Sequence, residues 1–360
     1  GHHSASSALR KEFAEMKENG EDVEFILEDP LKRPGDELYP WSRRFYLLMI
    51  RKIPWLWGMM FVVIDQPWHT RLSLWLMRGL KNRLRDILAE HQPDVVVSTY
   101  PIFPHFLEYY ELLDAHPNCA NVIIVTDSIT VNTVWTTAKC DAFVVPNELT
   151  ADVLRKRGIP EEKIRPLGFP VNPDIVDAAR ASSRQIPPRE GEQVRVLYMI
   201  NSGRMDSKRI AIRLAKIPDI KLTITVAFDD RLLAGLRKAL SGYGDRVEVL
   251  NWTNRLPELF SESHLLVAKA GGATTQEALA AGLPMVVTKA VPGQEPGNAQ
   301  LLEKLGAGIF VGDRNRVTPT VKKLLEDNCK GLGELVVAGG GSPDGAAKIA
   351  RLLMEIEPSR

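Results

Sequence analysis

The chain has 360 residues, of which 44% are hydrophobic and 25% are charged, proportions that are ordinary for a globular protein. This length favours two domains that each bury a core. The formal net charge of +1 argues against a nucleic-acid partner, which normally requires a strongly basic face. The three cysteines, Cys119, Cys140 and Cys329, form no CxxC pair, which argues against a disulfide framework or a zinc site.

The first half of the chain alternates helical and extended patterns. The stretch "ALRKEFAEMKENG" predicts an amphipathic helix that ends at Gly20, and "DVEFILED" predicts a strand. Further on, "GLKNRLRDILAEHQP" predicts a helix, followed by the apolar strands "DVVVSTY", "ANVIIVTD" and "CDAFVVPN". Uninterrupted apolar strands separated by helices are typical of a parallel sheet covered on both faces. Because the chain opens within a loop-to-helix pattern, we expect its first strand to be missing.

A tryptophan-rich segment lies between Trp41 and Asp65, and five of the seven tryptophans fall between Trp41 and Trp75. Its longest uncharged run, residues 53–64, has twelve residues and is too short to span a bilayer. Aromatic rings mixed with cations suit a membrane interface, although an amphipathic core helix is the alternative. The candidate membrane-contacting residues are Trp55, Trp57, Arg51 and Lys52.

The second half repeats the alternation of strands and helices. The runs "VRVLYMI", "KLTITVAF", "RVEVLNW", "HLLVAKA" and "LPMVVTK" predict strands, and a Ser-, Pro- and charge-rich stretch precedes them. The pattern predicts two Rossmann-like, doubly wound α/β domains that face each other across a cleft. The expected divisions are 1–178 for a first domain that carries the candidate membrane-binding segment, 179–193 for a linker, 194–345 for a second domain and 346–360 for a helix that returns toward the first domain.

The stretch "AGGATTQEALAAG" has the composition of a phosphate-binding strand-to-helix turn. Gly271 and Gly272 allow a ligand to approach the backbone closely. Thr274 or Thr275 can cap a helix whose N-terminus favours phosphate. Glu277 lies in the first turn of that predicted helix, where it can accept hydrogen bonds from a ribose diol. A capped helix in which Glu277 only complements the helix dipole is the alternative.

The following loop, "VPGQEPGN", places Gln294 and Glu295 side by side between two Pro/Gly turns. Together they offer the donors and acceptors that a hexose requires, although a solvated turn is the alternative. These contacts together describe a nucleotide-sugar site, with phosphate at the helix, ribose at Glu277 and a sugar at the Gln294–Glu295 pair.

The run from Lys269 to Gly308 resembles the donor-site signature of the glycosyltransferase family that includes monogalactosyldiacylglycerol synthase and processive diacylglycerol glucosyltransferase. The lipid-linked N-acetylglucosaminyl transferase of peptidoglycan assembly is a more distant relative. The resemblance extends upstream through "LNWTNRLPELFSESHLLVAKAGG", and it implies a GT-B fold and a UDP-sugar donor. It places Gly272 and Thr274 near the diphosphate, Glu277 at the ribose, and Gln294, Glu295 and Asn298 around the hexose.

Two loops depart from the family pattern. The first strand-to-helix loop of the second domain reads "MINSGRMDSK". It keeps Gly203 of the glycine-rich turn and offers Ser202 as a further contact to the donor. The stretch "VAFDDRL" stands where the family tends to carry a Cys-Gly pair.

The opening "GHHSASSAL" resembles the end of the family's Gly-Gly-Gly-His-x-x-Ala loop, which implies that His2 is the general base. Imidazole suits this role because it titrates near neutral pH, although two histidines at a chain start are also typical of a purification tag. The family lines its acceptor cleft with residues matching "VVSTYPIFPHF" and "VIIVTDSITVNTVW". Asn132 replaces a histidine frequent in the relatives, which leaves Asp127 and His105 as the polar candidates. Asp127 either orients the base or caps a turn.

The resemblance implies an inverting, metal-independent glycosyltransferase. It would move glucose or galactose from a UDP-hexose to diacylglycerol, as a peripheral enzyme on an anionic membrane surface in the cytoplasm. It implies neither a cofactor nor a nucleic-acid partner, since the UDP-sugar is a substrate. Three alternatives remain: N-acetylglucosaminyl transfer to a polyprenyl-linked acceptor, a UDP-sugar epimerase, and an inactive membrane-binding relative.

Overall fold

The computed structural model describes residues 2–31, 73–75, 77–200, 204–335 and 341–358. These residues belong to two compact units. The first comprises the chain up to Pro170 together with Val291–Gly297 and the residues from Asp344 onward, and the second comprises Val171–Ala290 and Asn298–Pro343.

The first unit contains a parallel sheet with helices around it. Its helices are α1 (His2–Glu18), α2 (Gly79–His91), α3 (Phe103–Tyr109) and α4 (Glu148–Lys156), and its strands are β1 (Val95–Ser98), β2 (Ala120–Ile124), β3 (Ala142–Val144) and β4 (Ile164–Arg165). The four strands pair in the order β1-β2-β3-β4, and all are parallel. Every residue of β2 is buried, as expected of a strand covered on both faces.

The stretch "DVEFILED" does not form the predicted strand in the described residues. Val23 is buried against the core, whereas Ile26 and Leu27 are exposed. Phe25 packs against the same cluster and stacks on Phe13 at a centroid distance of 5.2 Å, so the stretch is anchored by side chains although no described strand pairs with it.

The second unit holds a larger parallel sheet. Its strands are β5 (Val194–Ile200), β6 (Ile220–Val226), β7 (Val247–Leu250), β8 (Leu265–Ala268), β9 (Met285–Val287) and β10 (Gly308–Phe310). They pair in the order β10-β9-β8-β5-β6-β7. Since the strand order reverses between β8 and β5, the switch point where α/β sheets bind ligands lies at the carboxyl ends of these two strands.

Helices cover this second sheet. In chain order the remaining helices are α5 (Pro173–Ala181), α6 (Arg204–Ala215), α7 (Asp230–Leu240), α8 (Leu256–Glu262), α9 (Gly272–Ala280), α10 (Glu295–Lys304), α11 (Arg314–Gly333) and α12 (Gly345–Glu355). Helix α11 is interrupted by non-helical residues at 326–329. Helix α12 belongs to the first unit, where Ile349 and Leu353 pack in one cluster with Leu9 of α1 and Val122 of β2.

The sequence predicts a domain boundary at residue 178 and a linker at residues 179–193. Both positions lie in the second unit, which begins at Val171. Residue 178 lies within α5, and Ser182 Oγ donates to the Ser261 carbonyl at 2.8 Å. The Arg184 guanidinium donates to the carbonyl groups of Phe260, Ser263, Ala281 and Gly282. These bonds satisfy carbonyl groups at the ends of α8 and α9, where the helices leave them without partners.

Candidate active site

Helix α9 begins directly after β8 at the switch point of the second sheet. Gly271 is its N-cap residue, with φ −72° and ψ 137°, and no side chain caps the helix. The helix therefore starts earlier than the sequence indicated, and Thr274 and Thr275 lie inside its first turn instead of capping it. The amides of residues 272–274 have no acceptor within the helix, which suits them to an anionic ligand.

Glu277 lies in the second turn of α9, one turn later than predicted. Its side chain is half-buried, and burial raises the pKa of its carboxyl to about 7. The charged form is disfavoured because the carboxylate loses hydration. Ligand hydroxyl groups that donate to the carboxylate would replace that lost hydration.

Asn298 on α10 holds the loop that leads into α9. Its Nδ2 donates to the Ala270 carbonyl at 3.0 Å, and its side chain is fully buried. Among the described residues neither Asn298 Oδ1 nor Thr275 Oγ1 has a hydrogen-bond partner. Buried polar atoms without partners cost about 1–3 kcal/mol each, so these two atoms indicate a place where a ligand or water completes the structure.

Glu295 is the first residue of α10, not part of an open loop as the sequence indicated. The Val291 amide donates to Glu295 Oε2 at 2.7 Å, and the Glu295 side chain is buried. One carboxylate oxygen therefore closes the turn before the helix. Gln294 lies in that turn and is half-buried, which leaves its amide as the more accessible of the two predicted hexose contacts.

Gly297 lies against the loop that follows β2. A Cβ atom at this position would overlap the Ser128 carbonyl and both the amide and the hydroxyl of Thr130. Ile129 between them has a φ of 59°, which is a genuine outlier for a β-branched residue. Its amide donates to Thr150 Oγ1 at 3.2 Å. The chain thus holds this loop in a strained conformation, as functional sites often do.

His2 lies at the start of α1, beside the carboxyl ends of β1 and β2. Its Nδ1 is 2.9 Å from Thr126 Oγ1. The ring lies edge-on to Tyr100 at a centroid distance of 5.0 Å and 5.8 Å from the ring of Trp135. Burial lowers the pKa of His2 to about 4, against the opposing effect of a hydrogen bond to the Thr99 backbone. The imidazole is therefore neutral at physiological pH, which is the form that accepts a proton.

Asp127 follows Thr126 but binds a different partner. Its Oδ2 accepts a 2.7 Å hydrogen bond from Trp135 Nε1. Burial raises the pKa of Asp127 to about 6, while this hydrogen bond opposes the rise. Thr126 Oγ1 lies within hydrogen-bond distance of His2 Nδ1, whereas the Asp127 carboxylate accepts from the Trp135 indole.

His105, a predicted acceptor contact, is packed into the short 3₁₀ turn at Thr133–Trp135. Its Nε2 donates to the Val134 carbonyl at 2.8 Å, and burial lowers its pKa. Asn132 caps the same turn by accepting from the Val134 amide, and its buried Nδ2 has no partner among the described residues. His105 thereby connects α3 to this 3₁₀ turn.

Six predicted contacts lie outside the described residues. They are Ser202 and Gly203 on the donor side, and Trp55, Trp57, Arg51 and Lys52 in the tryptophan-rich segment. Within the described ranges, no helix is both long and apolar enough to cross a membrane.

The sequence did not predict an aromatic pair at the carboxyl edge of the second sheet. Phe228 follows β6 and Trp252 follows β7, and their rings stack at a centroid distance of 5.0 Å and an interplanar angle of 22°. Phe228 is 81% exposed and Trp252 is 62% exposed. Phe228 has a φ of 49°, a conformation that favours glycine. The unusual "VAFDDRL" loop was the signal in the sequence.

A second unpredicted surface lies on the first unit. Arg78 Cζ is 5.4 Å from the Trp75 ring centroid, and Lys81 Nζ is 4.8 Å from that of Tyr110. Tyr109 lies edge-on to Tyr110 at 4.9 Å, and both Trp75 and Tyr109 are 58% exposed. We call these five residues the aromatic–cation patch.

The titratable side chains do not gather into a metal site in the part of the chain that the structure describes. No group of three or more His, Cys, Asp and Glu residues there could hold an ion.

Comparison with known proteins connects each half of the chain to a glycosyltransferase family. Residues 2–171 match the family model described as monogalactosyldiacylglycerol (MGDG) synthase. Residues 209–332 match the glycosyltransferase family 28 C-terminal domain.

Curated relatives align across both halves. A processive diacylglycerol beta-glucosyltransferase of Bacillus cereus is 23% identical over 76% of this chain and 71% of its own length. The protein of that name from Bacillus cytotoxicus is also 23% identical, over 83% of this chain and 77% of its own length.

Solved structures with the same fold include MurG of Acinetobacter baumannii and a UDP-GlcNAc 2-epimerase. The MurG chain has a TM-score of 0.59 at 11% identity, covering 99% of this chain and 96% of its own. The epimerase from Neisseria meningitidis, bound to UDP-GlcNAc, has a TM-score of 0.58 at 16% identity, covering 77% and 80%. These likenesses establish the α/β GT-B fold. With residues 2–171 matched to the MGDG synthase model and residues 209–332 to the glycosyltransferase family 28 C-terminal model, both halves of the chain are similar to diacylglycerol glycosyltransferases.

Proposed function

We propose that this protein transfers glucose or galactose from a UDP-hexose to the free hydroxyl of diacylglycerol, with inversion at the anomeric carbon. The observation that carries the proposal is the neutral imidazole of His2, held at 2.9 Å by Thr126 and enclosed by the rings of Tyr100 and Trp135. The names of the relatives, processive diacylglycerol beta-glucosyltransferases, support the choice of acceptor.

In the proposed reaction His2 acts as general base. It takes the proton of the acceptor hydroxyl while that oxygen forms a bond to the anomeric carbon and the bond to the diphosphate breaks. Such proton transfer contributes on the order of 10²- to 10⁴-fold to the rate. The free amides at the start of α9 stabilise the departing diphosphate by preorganised electrostatics, and the proposal includes neither a metal nor a cofactor.

In this proposal the donor-side residues each bind a different part of the nucleotide sugar. The N-terminus of α9, with Gly271, Gly272 and Thr274, binds the diphosphate, and Glu277 binds the ribose diol. Gln294, Glu295 and Asn298 contact the hexose, and Asn298 Oδ1 offers a buried acceptor without a partner among the described residues.

The aromatic pair Phe228–Trp252 binds the nucleobase in this proposal. Strands in a sheet are about 4.8 Å apart. The carboxyl end of β6 therefore lies about 10 Å from that of β8, two strands away. An extended nucleoside diphosphate spans such a separation. Exposed aromatic faces bind bases by stacking, which explains why this chain keeps two large rings in solvent.

Membrane binding in this proposal is peripheral and on the cytoplasmic face. The aromatic–cation patch combines rings with cations, as interfacial surfaces do. It lies just beyond the predicted tryptophan-rich segment in sequence. Anionic lipids attract each cation near the membrane surface by about 1 kcal/mol.

The test is sugar transfer in anionic lipid vesicles that contain diacylglycerol, with UDP-glucose and UDP-galactose assayed in parallel. We expect a glycosyl-diacylglycerol product with one of the donors and its loss in His2→Ala. Transfer to a polyprenyl phosphate-linked acceptor but not to diacylglycerol would overturn the choice of acceptor. Binding of UDP without any transfer would overturn the enzymatic function.

A further inference from the structure

We propose that Thr126 is the positioning residue of the base, and that its hydroxyl, not the Asp127 carboxylate, fixes the imidazole of His2. The inference rests on the proposed function, because it takes His2 as the base. Thr126 itself does not touch the substrate in this proposal.

The geometry around Thr126 makes it a rigid partner. It lies two residues beyond the buried strand β2, and it is 2% exposed. Its Oγ1 lies 2.9 Å from His2 Nδ1, within the usual range for a hydrogen bond. Because β2 pairs on both sides, with β1 and with β3, the position of this hydroxyl is set by the centre of the sheet.

The hydrogen bond also selects which ring nitrogen reacts. A neutral imidazole carries a single N–H. The hydrogen bond made by one ring nitrogen decides which of the two nitrogens carries that hydrogen. When Nδ1 carries the hydrogen and Thr126 Oγ1 accepts it, Nε2 keeps its lone pair for the substrate proton. Loss of the hydroxyl removes the partner of Nδ1 and leaves the ring held by the Thr99 backbone, so both the tilt of the ring and its tautomer are less constrained.

The neighbours of His2 distinguish this arrangement from a base paired with a carboxylate. Tyr100 and Trp135 pack against the ring, the Thr99 backbone makes a further hydrogen bond to it, and Asp127 is engaged by the Trp135 indole. A carboxylate partner would stabilise the protonated imidazole, whereas a hydroxyl group carries no charge with which to do so. Thr126 thus orients the base and leaves it neutral.

Two variants of the full chain test the inference. Thr126→Val keeps the shape and removes the hydroxyl, and Thr126→Ser restores the hydroxyl. We expect Thr126→Val to lower kcat on the order of 10- to 100-fold, as misplacement of a reacting group does, with the KM for the UDP-sugar unchanged. Thr126→Ser should stay within a few-fold of the parent protein. The matched control is Thr318→Val, since Thr318 is a buried threonine of the second unit whose Oγ1 has no partner among the described residues.

A second readout does not depend on activity. Nitrogen-15 NMR of the histidine rings reports the tautomer, and the His2→Gln spectrum assigns the His2 signal among the seven histidines. We expect a single Nδ1–H tautomer in the parent chain and in Thr126→Ser, and a mixture in Thr126→Val. If Thr126→Val does not fold, Thr126→Ala should show the same mixture.

The two readouts separate the possible failures. Parent-like kcat and an unchanged tautomer in the folded Thr126→Val variant would overturn the positioning role. A parent protein that transfers no sugar, yet shows the tautomer change in Thr126→Val, would overturn the proposed function and leave the positioning of His2 by Thr126 supported.

Discussion

Trp135 Nε1 donates a 2.7 Å hydrogen bond to Asp127 Oδ2, and the same indole lies 5.8 Å from the imidazole of His2. The ring of Trp135 is almost completely buried. The buried indole therefore contacts both groups and contributes to shielding them from water. This explains why burial is the largest influence on the pKa of each group, raising that of Asp127 and lowering that of His2.

The depressed pKa of His2 predicts how this residue titrates and how it affects stability. Its folded pKa of about 4 lies below its ordinary value of 6.5. Between these pH values the unfolded chain binds more protons than the folded chain, so the stability contributed by His2 rises with pH from about 4 to 6.5. Urea unfolding of the parent and of His2→Gln should show their stability difference growing over this window. A proton NMR titration of His2 with its midpoint near 6.5 would contradict the expectation.

The raised pKa of Glu277 predicts that UDP binding releases protons. The folded pKa of about 7 lies above the ordinary value of 4.5, so about half of the carboxyl groups are protonated at neutral pH. Ribose hydroxyl groups that donate to the carboxylate favour its charged form and lower the pKa. Calorimetry at pH 7 in buffers of different ionisation enthalpy should therefore show release of up to about half a proton. Because UDP itself can release protons, the comparison is with Glu277→Gln, and equal release in the two proteins would contradict the prediction.

The Phe228–Trp252 pair predicts that removing one of its rings weakens binding of the nucleobase but leaves binding of the diphosphate unchanged. Stacking of a base on an aromatic ring contributes about 1–3 kcal/mol, so Trp252→Leu should weaken UDP binding about tenfold or more. Inorganic pyrophosphate lacks a base and should bind both proteins equally, as measured by calorimetry. Trp75→Leu, which removes an exposed ring from the first unit, is the control and should not change UDP affinity. A parallel loss of pyrophosphate binding in Trp252→Leu would show instead that the loop had collapsed.

The contact at Gly297 predicts an unusually sensitive glycine. A methyl group there would overlap the backbone at Ser128 and Thr130, and overpacking of this kind typically costs about 1–3 kcal/mol. Gly297→Ala should therefore lower the denaturation midpoint and displace the strained loop beside Asp127, with loss of transfer activity. Gly79→Ala is the matched control because a Cβ at Gly79 would meet no atom within 4 Å. Equal stability of the two variants would contradict the expectation.

The aromatic–cation patch predicts a salt-sensitive contribution to vesicle binding. At about 1 kcal/mol for each cation, the double variant Arg78→Gln, Lys81→Gln should bind anionic vesicles about 30-fold more weakly in a sedimentation assay. The difference should shrink at high salt, where charges are screened. The control is Lys322→Gln with Lys323→Gln, two exposed cations on α11. Equal vesicle binding by the patch variant and this control would assign membrane attachment to other residues.

Local sequence patterns predicted most of the fold correctly. The uninterrupted apolar runs form parallel strands, and "GLKNRLRDILAEHQP" contains helix α2. The failures have local causes as well. Glycine at position 271 caps α9, so the helix begins before the threonines that the pattern favoured. Glu295 begins a helix where the flanking proline and glycine residues indicated a loop.

The sequence by itself determined the two parallel sheets, the helix that follows β8 and the resemblance to glycosyltransferases, because strand and helix periodicity and short motifs depend on residues near one another in the chain. Tertiary structure alone decided which groups meet. Thr126 and His2 are 124 residues apart, and Phe228 stacks on Trp252 because β6 and β7 are neighbours in the sheet. Strand order and burial create these contacts and set the pKa values of His2, Asp127 and Glu277, since desolvation depends on everything packed around a group and not on its neighbours in sequence.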